Sequence, residues 1–375
     1  MAAETGTPAP AKPETTGPAQ ERRSVGSAAW GLVRKFLLLR EGSIIVVTVL
    51  VAIYFATTTD AFLTFANFKT LLPYFAPIAI LAAGEVFLMI NGEIDLSIGA
   101  VYLFSPFLFY YVHNTGLPLL PSVIVALIAC MVVGLINGFF NAVVGIASFV
   151  VTLGTLLALS GLTLIVSHAE PVDTPGAEVN SVAEKVTHVV NGVKVTLTQN
   201  HNEYTTFGSV FGHGTYSELI WALVIIIGLQ IVLSFTRWGI YTVSVGSNRL
   251  GAAEAGIRVR LVLIRNFILC STCAGIVGIL EAVRTTSAQP DPAGANEILF
   301  DGISAAVIGG TLLAGGSGTV VGALFGALFL GVLRDGLIIK GVNADYLSFY
   351  LGLAILLAMT INVYVQRVRR GERGG

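Results

Sequence analysis

The chain has 375 residues, 54% of them apolar and only 11% charged, with a formal net charge of −1. A soluble domain of that length needs many more charges to cover its surface, so the composition excludes one and points to a membrane protein. The near-zero net charge gives no sign of a nucleic-acid partner, and where the charges sit matters more than their sum.

Residues 1–27 open with MAAETGTPAPAKPETTGPAQ and are rich in Pro, Thr, Ala and Gly. They cannot bury a core and read as a disordered cytoplasmic tail, without the apolar segment of a signal peptide. Residues 28–370 read as one transmembrane domain and 371–375 as a short tail. About 20 apolar residues cross a bilayer. Ten stretches qualify or nearly qualify: 42–57, 71–90, 96–112, 121–144, 149–167, 219–235, 261–283, 302–314, 320–338 and 346–365. The eighth is short and is separated from the ninth by Gly315-Gly316-Ser317-Gly318, which suits a half-helix.

The distribution of basic residues tests this count. With a cytoplasmic N-terminus, ten spans return the C-terminus to the cytoplasm. Most of the 21 Lys and Arg residues then lie inside, among them Arg22, Arg23, Arg34, Arg237, Arg249, Arg258, Arg260, Arg265, Arg367 and Arg369. Lys69, Lys185, Lys194 and Lys340 lie outside, with Arg284 and Arg334 near outer helix ends. Adding or removing one span scrambles the asymmetry.

Two loops stand out. The outer one, 168–216, contains VTHVVNGVKVTL, two β-branched runs joined by Asn191-Gly192, a strong hairpin signal because a type I′ turn needs positive φ at both central residues. The cytoplasmic one, 237–265, predicts a short helix from Arg249 to Ala255 between Gly246 and Gly256, with Asn248 as its N-cap.

No enzyme chemistry is visible. No Gly immediately precedes a Lys anywhere, so the Gly-rich run 309–318 lacks the cation of a phosphate loop and reads as close helix packing or a turn. His113, His168, His188, His201 and His213 show no metal spacing on a helix face. Cys270 and Cys273 sit among small residues in an apolar run, which favours packing over a redox pair.

Ionisable groups inside a membrane are functional candidates by default. Glu85 lies within the second span. Glu281 and Arg284 are spaced to pair at i, i+3. Asn137, Asn141, Thr152 and Thr155 are polar positions on the fourth and fifth spans and, with Glu85, are candidates to line a path through the membrane. Glu93 and Asp95, in NGEIDLS, fall at the turn between the second and third spans. There Asn91-Gly92 ends one helix and Asp95 is placed to cap the next, within reach of water or the cytoplasmic loops. Glu93 faces either a cytoplasmic partner or solvent.

Four stretches in order carry a resemblance: NGEIDLSIGA; NAVVGIASFVVTLGTLLALSGL; GSNRLGAAEAGIRV; and SAQPDPAGANEILFDGISAAVIGGTLLAGGSGTVVGALFGALFLGVLRDGL. Together, over about residues 70–365, they resemble the inner-membrane permease subunits of ribose/xylose/galactose-type ABC sugar importers. The resemblance implies a type II importer permease fold, all-α and multi-pass in the plasma (inner) membrane, with both termini cytoplasmic. It implies translocation of a monosaccharide, xylose-like or ribose-like, by alternating access. The chain itself would bind no cofactor, since ATP and Mg belong to a separate cytoplasmic ABC ATPase. The other implied partners are a second permease copy or paralogue and an extracytoplasmic sugar-binding protein.

By the same resemblance, Gly246, Asn248, Ala252, Glu254, Gly256 and Ile257 form the loop that couples to the ATPase. Gly92, Glu93, Asp95 and Ser97 form the family turn, and Arg284, Gln289 and Asp301 the outer mouth. The sequence departs from the pattern at Ala147, where many relatives have Pro, at Thr285-Thr286, and at Leu299, where the usual acid is displaced to Glu297. The spelling GEIDLS and the long outer loop lean toward the xylose-like branch. Alternative readings are a permease for a nucleoside, a branched-chain amino acid or a furanosyl signalling molecule, an ion-coupled carrier, and a structural membrane subunit.

Overall fold

The computed structural model describes residues 41–190, 193–214 and 216–371, and for 179–190, 193–204 and 361–371 only the path of the backbone. The expected tail at 1–27, the basic residues before position 41 and the Asn191-Gly192 turn lie outside the described residues.

The chain is mostly helical. Helices α1 (Gly42–Thr58), α2 (Phe65–Ile90), α3 (Ile98–Asn114), α4 (Leu119–Phe139) and α5 (Ser148–Ser167) come first, α4 ending in a π-helical turn, Phe140–Val144. An insertion follows, with strands β1 (Val172–Asp173), β2 (Val179–Val190) and β3 (Val193–Tyr204) and the short helix α6 (Thr206–Phe211). Then come α7 (Ser217–Phe235), α8 (Arg237–Ser247), α9 (Arg249–Glu254), α10 (Val259–Thr285), β4 (Ser287–Ala288), α11 (Pro292–Ile308), α12 (Val320–Ile339) and α13 (Ala344–Gly371). β2 and β3 pair antiparallel with Val190 opposite Val193, while β1 pairs with β4 and ties the insertion to the end of α10.

Among the described residues, six helical segments are long and apolar enough to cross a membrane: α2, α4 with its π turn, α5, α7, α10 and α12. Shorter apolar helices cover Gly42–Thr58 and Ala344–Thr360. The eighth stretch is corrected. Its helix begins at Pro292, not Gly302, because Asp291 accepts the Ala293 N–H and Pro292 fills the first position; it ends at Ile308, before Gly309-Gly310.

α2 is the centre of the bundle. Of its most apolar window 89% is buried, against 28% for α4 and 22% for α5 and α7, whose outer faces are apolar and exposed. α2 starts with Thr64 accepting the Asn67 N–H and stops at Asn91-Gly92, where Gly92 has φ +75°. Around it pack α10, α11 and α12, with α3 against α4 and α10. Small residues allow the close approach: a Cβ on Gly326 of α12 would lie 2.0 Å from the Ala305 carbonyl oxygen of α11. Cys130, Cys270 and Cys273 are free and buried in this packing.

Candidate functional site

The segment after α2 does not leave the bundle. The Asp95 N–H donates to Glu85 Oε1 at 3.3 Å, so residues 91–97 fold back along the last turns of α2. Glu85 lies five residues before Ile90, roughly 7 Å inward along the helix axis. α3 therefore starts inside the protein, and Asp95, Ser97 and Glu85 are fully buried. Asp95 accepts from both the backbone N–H (2.8 Å) and the hydroxyl (2.6 Å) of Ser97. This corrects the reading of Asp95 as a water-accessible helix cap: it braces the turn leading into α3, and no side chain caps that helix. The local pattern suggested a cap because it cannot show that the turn re-enters.

A chain of hydrogen bonds leads on from Ser97. Asn137 of α4 donates to Ser97 Oγ at 2.8 Å, and Thr155 of α5 donates to Asn137 Oδ1 at 2.6 Å. Each group uses its partner's complementary capacity, which is how polar groups are tolerated in a dry interior. Thr152 bonds back to the Ser148 carbonyl within its own helix.

At the α8–α9 end of the bundle, elements converge on the end of α2. The Asn91 amide donates to the Thr242 carbonyl at 2.7 Å and accepts from Asn266 at 2.6 Å, while Trp238 donates to Asn266 at 2.7 Å. The Gly316 N–H bonds the Ile90 carbonyl at 2.7 Å, and a Cβ on Gly246 would lie 1.7 Å from that same oxygen. The Gly-rich turn thus satisfies backbone and permits contact. Asn248 caps α9 by accepting the Gly251 N–H at 2.9 Å, and Ala252 packs with Val245 and Val262. Arg249, the first residue of α9, reaches Glu93 at 2.5 Å and the Asn91 carbonyl at 2.8 Å. Asn141 donates to the other Glu93 oxygen at 3.3 Å. Glu93 therefore faces Arg249.

At the opposite end, beside the insertion, α2, α3, α10, α11 and α12 enclose a cavity of about 470 Å³. Tyr74 and Tyr102, with Pro73 and Pro77, supply apolar and aromatic walls. Its charges come as Glu281 and Arg284 from α10, Glu297 and Asp301 from α11, and Arg334 from α12. Arg334 pairs closely with Glu297, stands 3.5 Å from Asp301 and lies over the Tyr74 ring. Arg284 pairs closely with Glu281 and stands 3.3 Å from Glu218. Both arginines are thus occupied by carboxylates. A second hollow of about 240 Å³ shares Tyr102 and Glu281 and adds Gln289 and Asp291. Among the described residues no group of three His, Cys, Asp or Glu is placed to hold a metal ion.

A permease family described as "branched-chain amino acid transport system / permease component" matches residues 67–359. The chain is 32% identical to the xylose/arabinose import permease of Sulfolobus acidocaldarius over 347 residues, covering 90% of this chain and 87% of that protein. It is 30% identical to the ribose import permease of Escherichia coli K12, covering 88% and 95%, and 28% identical to that of Bacillus subtilis, covering 80% and 86%. This chain belongs to the ABC sugar-importer permease family. No solved structure matches it.

The permease is a multi-pass, non-catalytic subunit of the plasma (inner) membrane. Its predicted site residues fall into separate groups. Arg284 and Asp301 share the large cavity and Gln289 lines the smaller one. Gly246 and Asn248 adjoin the end of α2 and α9. Ala252 and Glu254 lie within α9, and Gly256 (φ +83°) and Ile257 come just after its C-cap, Ala255. Glu85, Asn137, Asn141, Thr152 and Thr155 do not line the large cavity; each makes an internal bond described above, with Glu85 Oε2 and Asn141 Oδ1 left unbonded. Sequence reasoning missed Tyr74 and Tyr102 as cavity walls and Glu297 as the partner of Arg334. The displaced acid at 297 was the available signal.

Proposed function

We propose that this permease carries a monosaccharide of the xylose or ribose kind inward, as the membrane half of an ATP-driven importer with ten spans and cytoplasmic termini. The observation that carries the substrate class is the cavity of about 470 Å³ in which both arginines are already paired with carboxylates. No unpaired arginine is left among the cavity's lining to meet an amino acid's carboxylate, whereas a neutral sugar takes hydroxyl partners and aromatic or apolar faces, and Tyr74, Tyr102 and the paired carboxylates offer those. The relatives named for xylose, arabinose and ribose import support the same reading.

Arg237, Arg249, Arg258 and Arg260 gather near α8 and α9, which supports a cytoplasmic position for that end. In this reading residues 237–265 meet the partner ATPase, which binds ATP and Mg. The insertion 168–216 and the cavity face outward, toward an extracytoplasmic sugar-binding protein. A second permease copy or paralogue completes the path. ATP-driven closure of the ATPases presses on α9, and rocking of the spans exposes the path to alternate sides.

The test is reconstitution in proteoliposomes with the ATPase and binding protein encoded beside the permease, followed by uptake of labelled xylose, ribose, leucine and a nucleoside. ATP-dependent accumulation of a pentose is expected. Accumulation of leucine instead, which the family's description makes the second reading, or uptake abolished by an uncoupler but indifferent to ATP, would overturn the assignment.

A further inference from the structure

Arg249 and Glu93 are separated by 156 residues and joined at 2.5 Å. Among the described residues this is the ion pair that ties α9 to the bundle. Glu93 is 9% exposed at its side chain and Arg249 48%, so the carboxylate belongs to the packed interior and the guanidinium reaches in to it from α9. Both Glu93 oxygens are engaged, one by Arg249 and one by Asn141 at the π turn ending α4. The same guanidinium group holds the Asn91 carbonyl at 2.8 Å.

Two residues beyond Glu93 stands Asp95, bonded to Glu85 of α2 and to Ser97, and Ser97 leads through Asn137 to Thr155 of α5. The re-entrant segment therefore touches α2, α3, α4 and α5 through directional bonds, and one arginine on α9 holds its free corner. The backbone nearby has no slack, since Gly246 and Gly316 both abut the Ile90 carbonyl. Beside this tight backbone contact, Arg249 gives α9 a direct polar link to the re-entrant segment.

We propose that the Glu93–Arg249 ion pair is the latch that transmits movement of α9 to the re-entrant segment, making both side chains positioning residues of the transport cycle. The proposal rests on the reading of α9 as the element facing the ATPase. Loss of either charge uncouples the two motions: ATP is hydrolysed, but less sugar crosses per ATP.

The experiment measures sugar uptake and ATP hydrolysis together in proteoliposomes holding the complete complex. It compares wild type, Glu93→Gln, Arg249→Gln, Glu93→Arg, Arg249→Glu and the exchanged pair E93R/R249E. Coupling elements of this kind modulate equilibria by roughly twofold to thirtyfold. Each single variant is expected to lower uptake per ATP within that range, and the exchanged pair to recover most of the loss.

Glu93→Gln keeps the shape and one acceptor oxygen for Asn141, so it removes the charge and the acceptor facing Arg249 with little other disturbance if the reversals fail to assemble. Wild-type uptake per ATP in Glu93→Gln and Arg249→Gln overturns the latch, as does an assembled exchanged pair no better than its single variants. If wild-type complex itself shows no ATP-dependent uptake, the importer reading fails instead, so the two failures are distinguishable.

Discussion

Glu85 accepts the backbone N–H of Asp95 at 3.3 Å, although the two residues flank the end of a helix and lie ten positions apart. That bond makes NGEIDLS a re-entrant segment instead of a surface turn. Glu85 is fully buried, with the Cys270 thiol as its other partner at 3.4 Å. Glu85→Gln keeps the acceptor oxygen and the volume and should cost no more than about 1.5 kcal/mol. Glu85→Lys puts an ammonium where no carboxylate but Asp95 is near and long side-chain geometry is not accommodated; several kcal/mol are expected to be lost. Thermal unfolding of the detergent-purified complex separates the two, with Glu85→Lys yielding little folded protein.

Asn137 works as a donor and an acceptor at once. Its amide donates to Ser97 Oγ and its carbonyl accepts from Thr155. Asn137→Asp has nearly the same shape but no donor, and it faces a Ser97 hydroxyl already donated to Asp95. Asn137→Asp should therefore destabilise more than Asn137→Ala, which itself costs about 1 kcal/mol by taking the donor from buried Ser97, while half-buried Thr155 keeps the Val151 carbonyl. Melting temperatures of the two variants give the order, and an equal or reversed order would remove the donor role.

Gly326 tests packing against helix propensity. Replacing an interior helix glycine by alanine ordinarily stabilises by about 0.5–1 kcal/mol. At Gly326 the new Cβ would lie 2.0 Å from the Ala305 carbonyl oxygen, a backbone atom that moves only with α11. At Gly228 of α7 nothing lies within 4 Å. Gly228→Ala should leave stability equal or raised, while Gly326→Ala should lower it by about 1–3 kcal/mol, the usual cost of overpacking. Parallel thermal-shift measurements decide the sign at each site.

Arg334 holds two carboxylates of α11 at the cavity. Arg334→Ala leaves Asp301, which is 9% exposed, and Glu297 without their cation. Removing one partner of a largely buried pair costs up to about 3–5 kcal/mol, reduced here because Glu297 is half open to solvent. Under the sugar-importer reading, uptake at low sugar concentration should fall by about tenfold or more. Arg334→Lys keeps charge without the planar fork and should retain part of it. Uptake rates against sugar concentration, at equal amounts of assembled complex, check both variants.

Much of the framework was legible in one dimension. Nine of the ten apolar stretches are helical nearly throughout and the eighth only as far as Ile308, because long apolar runs and their Gly and Pro punctuation are local properties. Asn248 capping α9 was also readable, since a cap and the N–H it accepts lie three residues apart. The family could be recognised from short motifs in order, without knowing what any of them touches.

Contacts across the bundle were not legible. Glu93 finds Arg249 156 residues later, and Glu297 finds Arg334 37 residues later. Nothing in the neighbouring letters names either partner. Asp95 looked like a solvated cap because the tripeptide around it is compatible with one; the fold-back of residues 91–97 onto α2 and the packing of α3 against α10 buried it. The sequence alone determined a membrane permease of helices, where those helices lie and the glycines that let them approach. The tertiary structure decided which polar groups meet inside, since burial and pairing depend on which helices become neighbours, and that follows from the packing of whole faces.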